Sequence, residues 1–251
     1  MKKIAIINNK GGVGKSTTAV QISHGLAKLN SKVLLVDLDG QNDSSSFLGF
    51  MEEDFDYTLN DMEYFNGNIK DIKKCIINAR DGLDLIINSS IDKINARLYR
   101  ESQLNMVFEE FFTSIREEYD YIIFDCSPNK NKTNDAVLLY VNHIIMPVEV
   151  ASASVKAVGN MFEYLAALRQ DTDKISLVIP NKFDKRTNDS KRNLERLKNI
   201  FEDRPEILTK PINTRVKIKE AGSYGKTVFE YDKEASNQYF KVLEKVVEKI
   251  V

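Results

Sequence analysis

The chain has no tryptophan, few cysteines and histidines, and no long apolar run. Cys75 and Cys126 lack CxxC spacing, which argues against zinc and disulfide sites and fits the reducing cytoplasm. His24 and His143 stand alone in the sequence, so each is expected to be structural. No apolar run approaches the roughly 20 residues of a membrane span, and the N-terminus does not resemble a signal peptide.

Glycine and proline are few and scattered, and neither repeats nor low-complexity tracts interrupt the 251 residues. The 42% hydrophobic content is enough for one continuous core. We therefore expect a single domain over residues 1–251.

Short apolar runs alternate with longer segments of helical period, which is typical of a parallel sheet covered by helices. The predicted class is α/β, with a mostly parallel twisted sheet and helices on both faces. The predicted strands are Lys3–Asn8, Lys32–Leu38, Leu83–Asn88, Tyr121–Asp125, His143–Val148 and Ile175–Asn181. Besides one helix after the first strand, predicted helices cover Asp92–Ile115, Ser154–Arg169, Ser190–Phe201 and Lys233–Ile250.

A phosphate-binding loop follows the first strand and reads Asn-Lys-Gly-Gly-Val-Gly-Lys-Ser-Thr over residues 9–17. Its glycines let backbone N–H groups approach phosphates closely. Lys15 is placed to reach the β- and γ-phosphates, and the Ser16 hydroxyl to ligate Mg²⁺. The spacing is that of a P-loop in which Asn9 replaces the first glycine. The predicted nucleotide-binding residues of this loop are Lys10, Gly11, Gly12, Val13, Gly14, Lys15, Ser16 and Thr17.

A second lysine, Lys10, sits beside phosphates that Lys15 already serves. The pattern Lys-Gly-Gly-Val-Gly-Lys-Ser-Thr resembles the deviant Walker A motif of the ParA/MinD family of P-loop ATPases. The resemblance implies that Lys10 crosses to the nucleotide of a partner subunit, so that a homodimer encloses two ATP molecules. Both lysines are then catalytic candidates. The alternative is a solvated loop lysine.

The second strand ends in Asp37-Leu38-Asp39-Gly40-Gln41. At a strand end, Asp39 could face a γ-phosphate, its Mg²⁺ or an attacking water. The stretch resembles the family's Asp-x-Asp-x-Gln motif, which implies that Asp39 positions the hydrolytic water. A helix-capping role is the alternative.

The apolar strand Tyr121–Asp125 ends in a carboxylate, as a Mg²⁺ shell requires. Asp125 is therefore the second predicted metal-shell residue, with Ser16. Relatives continue with an apolar or small-residue stretch that responds to nucleotide and helps form the dimer interface. This chain instead has a polar, doubly basic segment over residues 129–135.

Near the C-terminus, the chain resembles the partition branch of the family. The resemblance implies that Asn181 meets adenine, with Pro211 and Asn213 on the other side of the base. Although the net charge is −1, basic residues concentrate between residues 182 and 226. The DNA-contact candidates are Arg186, Arg192, Arg215 and Lys217. The alternative is a solvated helix face neutralised by nearby acids.

The resemblance implies a ParA/Soj-type ATPase with ATP and Mg²⁺ as cofactors, whose weak hydrolysis a ParB-like partner stimulates. It would bind DNA non-specifically on the bacterial or archaeal nucleoid and act in plasmid or chromosome partitioning, away from membranes. The alternative is a MinD-like, membrane-associated regulator of division-site position. That function needs an amphipathic targeting helix, whereas the apolar residues of 233–250 are expected to cover the sheet.

Overall fold

The computed structural model describes residues 1–250, which form one seven-stranded sheet and the helices around it. The strands are β1 (Lys2–Ile6), β2 (Val33–Leu38), β3 (Ile77–Arg80), β4 (Leu83–Ile86), β5 (Tyr121–Cys126), β6 (His143–Glu149) and β7 (Ile175–Asn181). The helices are α1 (Lys15–Lys28), α2 (Asp43–Phe47), α3 (Ile91–Leu98), α4 (Leu104–Phe112), α5 (Lys132–Tyr140), α6 (Ser152–Lys156), α7 (Val158–Ala167), α8 (Asn188–Ile200), α9 (Val216–Ser223), α10 (Val228–Tyr231) and α11 (Lys233–Ile250).

The strand order is β3-β4-β2-β5-β1-β6-β7, and every pairing is parallel except that of β3 with β4. The predicted fold class is thus confirmed, as are all six predicted strands, with ends shifted by at most two residues. The sequence analysis missed β3. Its four residues, Ile-Asn-Ala-Arg, are too short and too polar to show a strand pattern.

Helices cover both faces of the sheet because side chains alternate along each strand. On β1, Ala5 packs in one apolar cluster with α4, α5 and α7, whereas Ile4 and Ile6 pack in the other with α1 and α11. On α11, Tyr239, Leu243, Val246 and Ile250 are buried. The expectation that this helix covers the sheet is confirmed. No helix within residues 1–250 has the length and apolarity to cross a bilayer.

Two predicted helices are wrong as single elements. The predicted helix 92–115 is divided into α3 and α4, because the Glu101 carboxylate accepts hydrogen bonds from the Gln103 N–H and the Tyr64 hydroxyl and holds the chain out of helical form. The predicted helix 154–169 is divided at Ala157, whose ψ of −8° separates α6 from α7.

Candidate nucleotide-binding site

The predicted site residues converge where β1, β2 and β5 end. In the sheet register Asp125 of β5 lies beside both Ile6 of β1 and Asp37 of β2. The phosphate-binding loop, which follows β1, therefore meets the ends of β2 and β5 at one edge of the sheet. Ligands of open α/β sheets bind at this carboxyl edge. The topology therefore brings Lys15, Asp39 and Asp125 together.

The phosphate-binding loop has the backbone conformation that its glycines predict. Gly12 and Gly14 have φ of 73° and 93°, a region that side chains disfavour. A Cβ atom on Gly14 would also collide with the amide of Asn181. Gly14 directly precedes α1, so the free N–H groups of the first helical turn face the loop.

The Lys15 side chain is buried at the first residue of α1 and lies among carboxylates. Burial lowers its pKa, and the charges of Asp125 and Asp39 oppose that shift. Its Nζ is 3.4 Å from the Lys10 carbonyl oxygen. An ammonium group held in this way would favour phosphate oxygens, which are the anions that a P-loop lysine serves.

Asp125 is completely buried at the end of β5. Burial raises its pKa to about 7, and the neighbouring Ser16 and Ser44 hydroxyls oppose that shift. Its Oδ2 accepts the Ser44 Oγ hydrogen bond at 2.8 Å, whereas its Oδ1 is buried without a partner in residues 1–250. An orphaned carboxylate oxygen beside a serine hydroxyl fits a hydrated Mg²⁺ ion.

Two aspartates of β2 and its following loop have separate roles. Asp37 is fully buried and accepts hydrogen bonds from the backbone N–H groups of Asp39 and Ser45, so it holds the loop in place. Burial, with the Asp125 charge, raises the Asp37 pKa well above its usual range. Asp39 is half-buried, and its charge partly opposes the lowering of the Lys15 pKa by burial. The Asn88 side-chain Nδ2 donates a hydrogen bond to the Asp39 backbone carbonyl oxygen at 3.0 Å.

Lys10 is docked within its own chain. Its Nζ donates to the Oγ of Ser154, at 2.8 Å, and Ser154 is fully buried on α6. The predicted role across a dimer interface requires this contact to break.

A cavity of about 640 Å³ adjoins the loop and α1. Of the three predicted nucleobase contacts, Asn181 and Asn213 line it beside Thr17 of the phosphate-binding loop, whereas Pro211 is not among its lining residues. The amide of Asn181 donates to the Val13 carbonyl oxygen at 2.8 Å and so clamps the phosphate-binding loop.

The four candidate DNA contacts differ in exposure. Arg186 is paired with Asp184 but 82% exposed. Arg192 is exposed on α8. Lys217 is half-exposed beside Glu220. Arg215 is ion-paired with Glu234 and lines the cavity, so the structure places it nearer the nucleotide-binding site than the open surface.

Other predicted features are structural. The Nδ1 of His24 is 2.7 Å from the hydroxyl of Thr227, and that of His143 is 2.8 Å from the hydroxyl of Ser176. In the polar segment 129–135, the Asn131 side chain caps α5, and the buried Asn134 amide donates to two carbonyl oxygens of the same loop. Its polarity therefore serves local folding.

Sequence reasoning missed three side chains of this site: Ser44, Ser154 and Gln238. Each is a common polar residue outside any motif, and each acts through a contact more than 20 residues away in the chain. Only Ser44 carried a signal, since it follows the Asp39 motif within one short helix.

Known proteins resemble this chain in sequence and in fold. The profile of a family described as AAA domain matches residues 1–179. The sporulation initiation inhibitor protein Soj of Bacillus subtilis is 30% identical over 240 residues, which cover 92% of this chain and 91% of that protein. The chain belongs to the ParA/Soj family. This family membership confirms the resemblance drawn from Lys10 and the phosphate-binding loop.

Solved structures agree with membership of the ParA/Soj family. A plasmid partition protein of Borrelia burgdorferi bound to AMPPNP has a TM-score of 0.81 and 25% identity, with 99% of each chain covered. In the MinC:MinD cell division complex of Aquifex aeolicus, the matching chain has a TM-score of 0.77 at 22% identity, over 100% of this chain and 98% of that one. At that identity the likeness shows the fold alone.

Proposed function

We propose that this chain is a ParA/Soj-type ATPase that binds Mg²⁺ and ATP, dimerises around two ATP molecules and binds DNA non-specifically. A ParB-like partner would stimulate its weak hydrolysis, and the cycle would serve plasmid or chromosome partitioning on the nucleoid. The observation that carries the proposal is the meeting of Lys15, Asp39 and the orphaned oxygen of Asp125 beside a cavity of about 640 Å³.

The residues of the site divide the chemistry among them. The loop N–H groups and the Lys15 ammonium would bind the β- and γ-phosphates, and Ser16 with Asp125 would hold Mg²⁺. The bound ion would supply positive charge to neutralise the phosphate oxygens. The Asp39 carboxylate lies near the Lys15 ammonium, which would bind the γ-phosphate. Asp39 would therefore be close enough to orient the attacking water. Lys10 adds a cation to the partner's nucleotide after it leaves Ser154.

The burial of the apolar residues of α11 favours partitioning over the membrane alternative. A targeting helix must present its apolar face to lipid. Here four residues of that face, Tyr239, Leu243, Val246 and Ile250, are at most 2% exposed and pack in the core.

A comparison of two lysine variants tests the proposal. Lys15→Ala removes the cation that serves the phosphates of its own chain, so ATP binding should be lost. Lys10→Ala removes the cation that would reach the partner, so ATP should still bind while the dimer fails to form. Equilibrium binding of a fluorescent ATP analogue and sedimentation with AMPPNP measure the two effects. Equal loss of ATP binding in both variants would contradict the role of Lys10 in the partner's site.

A further inference from the structure

A glutamine on α11 holds the side chain of Asn213 at the cavity. The Oε1 of Gln238 accepts two hydrogen bonds from this residue, one from the backbone N–H at 2.7 Å and one from the side-chain Nδ2 at 2.9 Å. Both residues are half-buried. Sequence reasoning assigned no role to Gln238.

These two bonds fix the orientation of the Asn213 amide. A backbone N–H can only donate, so the Gln238 atom that faces it must be the carbonyl oxygen. The Asn213 atom that faces the same oxygen must then be the donor Nδ2. Its Oδ1 is therefore turned away from Gln238, in a residue that lines the cavity, and accepts no hydrogen bond from residues 1–250.

The backbone around Asn213 is also pinned. The Phe183 N–H donates to the Ile212 carbonyl oxygen, and the Thr214 N–H donates back to the Phe183 carbonyl oxygen, both at 2.9 Å. These bonds join the segment to the loop after β7, where Asn181 lies. The acceptor at Asn213 thus has a fixed place relative to the phosphate-binding loop.

Burial of the Gln238 amide has a cost in stability. Its Nε2 is buried and has no partner in residues 1–250. Because an unsatisfied buried donor destabilises a fold, an apolar side chain of similar length would be favoured if Gln238 only filled space. The glutamine contributes instead through its carbonyl oxygen, which orients Asn213.

We propose that Gln238 is a positioning residue that fixes Asn213 Oδ1 as an acceptor in the nucleobase cavity and so selects purines with a 6-amino group over purines with a 6-oxo group. A 6-amino group donates to this oxygen, whereas a 6-oxo group would place two acceptors against each other. The inference rests on the proposed function, in which this cavity holds the base of the nucleotide.

Competition between ATP and inosine triphosphate tests the preference for a 6-amino group. The two ligands carry the same triphosphate and differ only in the group at C6 and in the proton on N1. Displacement of a fluorescent ATP analogue gives both dissociation constants. For the wild type we expect about 10- to 100-fold preference for ATP, the cost of leaving a polar pair unsatisfied. Purine riboside triphosphate, which lacks the 6-substituent, should fall between them.

Three variants connect the preference to Gln238. Gln238→Met keeps the length but loses the acceptor, so the ratio of the two constants should fall to within about 3-fold of unity. Gln238→Glu keeps an acceptor and should preserve the wild-type ratio. Asn237→Met changes the exposed neighbour on α11 and serves as the matched control. The ratio cancels any general loss of triphosphate affinity.

The outcomes separate this inference from the proposed function. If neither triphosphate binds the wild type, the proposed function fails. If both bind the wild type equally, or if Gln238→Met keeps the full preference, the function stands and the role of Gln238 is refuted. If Gln238→Met does not fold, the order of the three ligands on the wild type and on Gln238→Glu decides, and loss of the preference in the glutamate variant refutes the inference.

Discussion

Removal of the Ser154 hydroxyl should strengthen the ATP-dependent dimer. In the single chain Lys10 Nζ donates to Ser154 Oγ at 2.8 Å, and the serine is fully buried. The proposed dimer requires this bond to break, because the same ammonium must reach the partner's nucleotide. Ser154→Ala removes the competing contact without altering the loop itself.

The size of the effect follows from the number of bonds that must break. A hydrogen bond from a charged donor contributes about 1.5–3 kcal/mol, and rehydration of the half-buried Lys10 ammonium reduces the net value to about 1 kcal/mol. Each dimer breaks two such bonds, one in each subunit, so the dimer gains about 2 kcal/mol in the variant. That corresponds to a dimer dissociation constant about 30-fold lower.

Sedimentation equilibrium with saturating AMPPNP measures this constant without hydrolysis. Ser152→Ala is the matched control, since Ser152 lies on the same helix and its hydroxyl makes no hydrogen bond in residues 1–250. The reasoning is refuted if Ser154→Ala leaves the dimer constant unchanged, weakens the dimer, or changes it no more than Ser152→Ala does.

Three further variants test other parts of the site and the core. Ser44→Ala removes a hydrogen bond to the Asp125 carboxylate, so ATP affinity in Mg²⁺ should fall about 5- to 30-fold but stay unchanged in EDTA, with the exposed Ser46→Ala as control; equal losses in both buffers would contradict the metal role. Asp39→Ala should slow single-turnover hydrolysis at least about 100-fold while the ATP-bound dimer persists, and a variant that stays monomeric in ATP would make Asp39 structural or metal-binding. Burial lowers the His24 pKa to about 4, so the unfolded chain takes up a proton first as pH falls below 6.5. Between pH 6.5 and 4, the free energy of unfolding should therefore fall by up to about 3 kcal/mol less in His24→Gln than in the wild type. Equal losses in the two proteins, measured by urea unfolding, would refute this.

The parts of the fold that the sequence predicted are those with strong local patterns. Residues 175–181 and 233–250 have the bounds predicted for them, because a continuous apolar run and a long amphipathic period each occur between clear turn signals. The division at Glu101 was not predictable, since it depends on a hydrogen bond from Tyr64 across 37 residues of chain. Tertiary contacts there override helical periodicity.

The site shows the same division. Motifs predict Lys15, Ser16 and Asp125 as site residues, because phosphate and Mg²⁺ chemistry needs those residue types at strand ends. Motifs do not predict Ser154 and Gln238, since the roles of these two residues arise only when α6 and α11 pack beside the loop and the cavity. Sequence motifs thus predict the residues that would bind phosphate and metal. The proposed roles of Ser154 and Gln238 follow only from how the helices pack.

DNA binding by the ATP-loaded dimer tests the central claim most directly. Filter binding with two unrelated duplexes, with and without ATP, should show affinity only with ATP, equal for both duplexes and falling steeply with salt. Lys217→Gln should lower the salt slope by about 0.9 for each DNA phosphate that the lysine no longer neutralises, and a symmetric dimer carries this lysine twice. Lys249→Gln, beside His143 at the opposite edge of the sheet, should leave the slope unchanged. A dimer that binds no DNA at low salt but sediments with anionic liposomes in ATP would contradict the account.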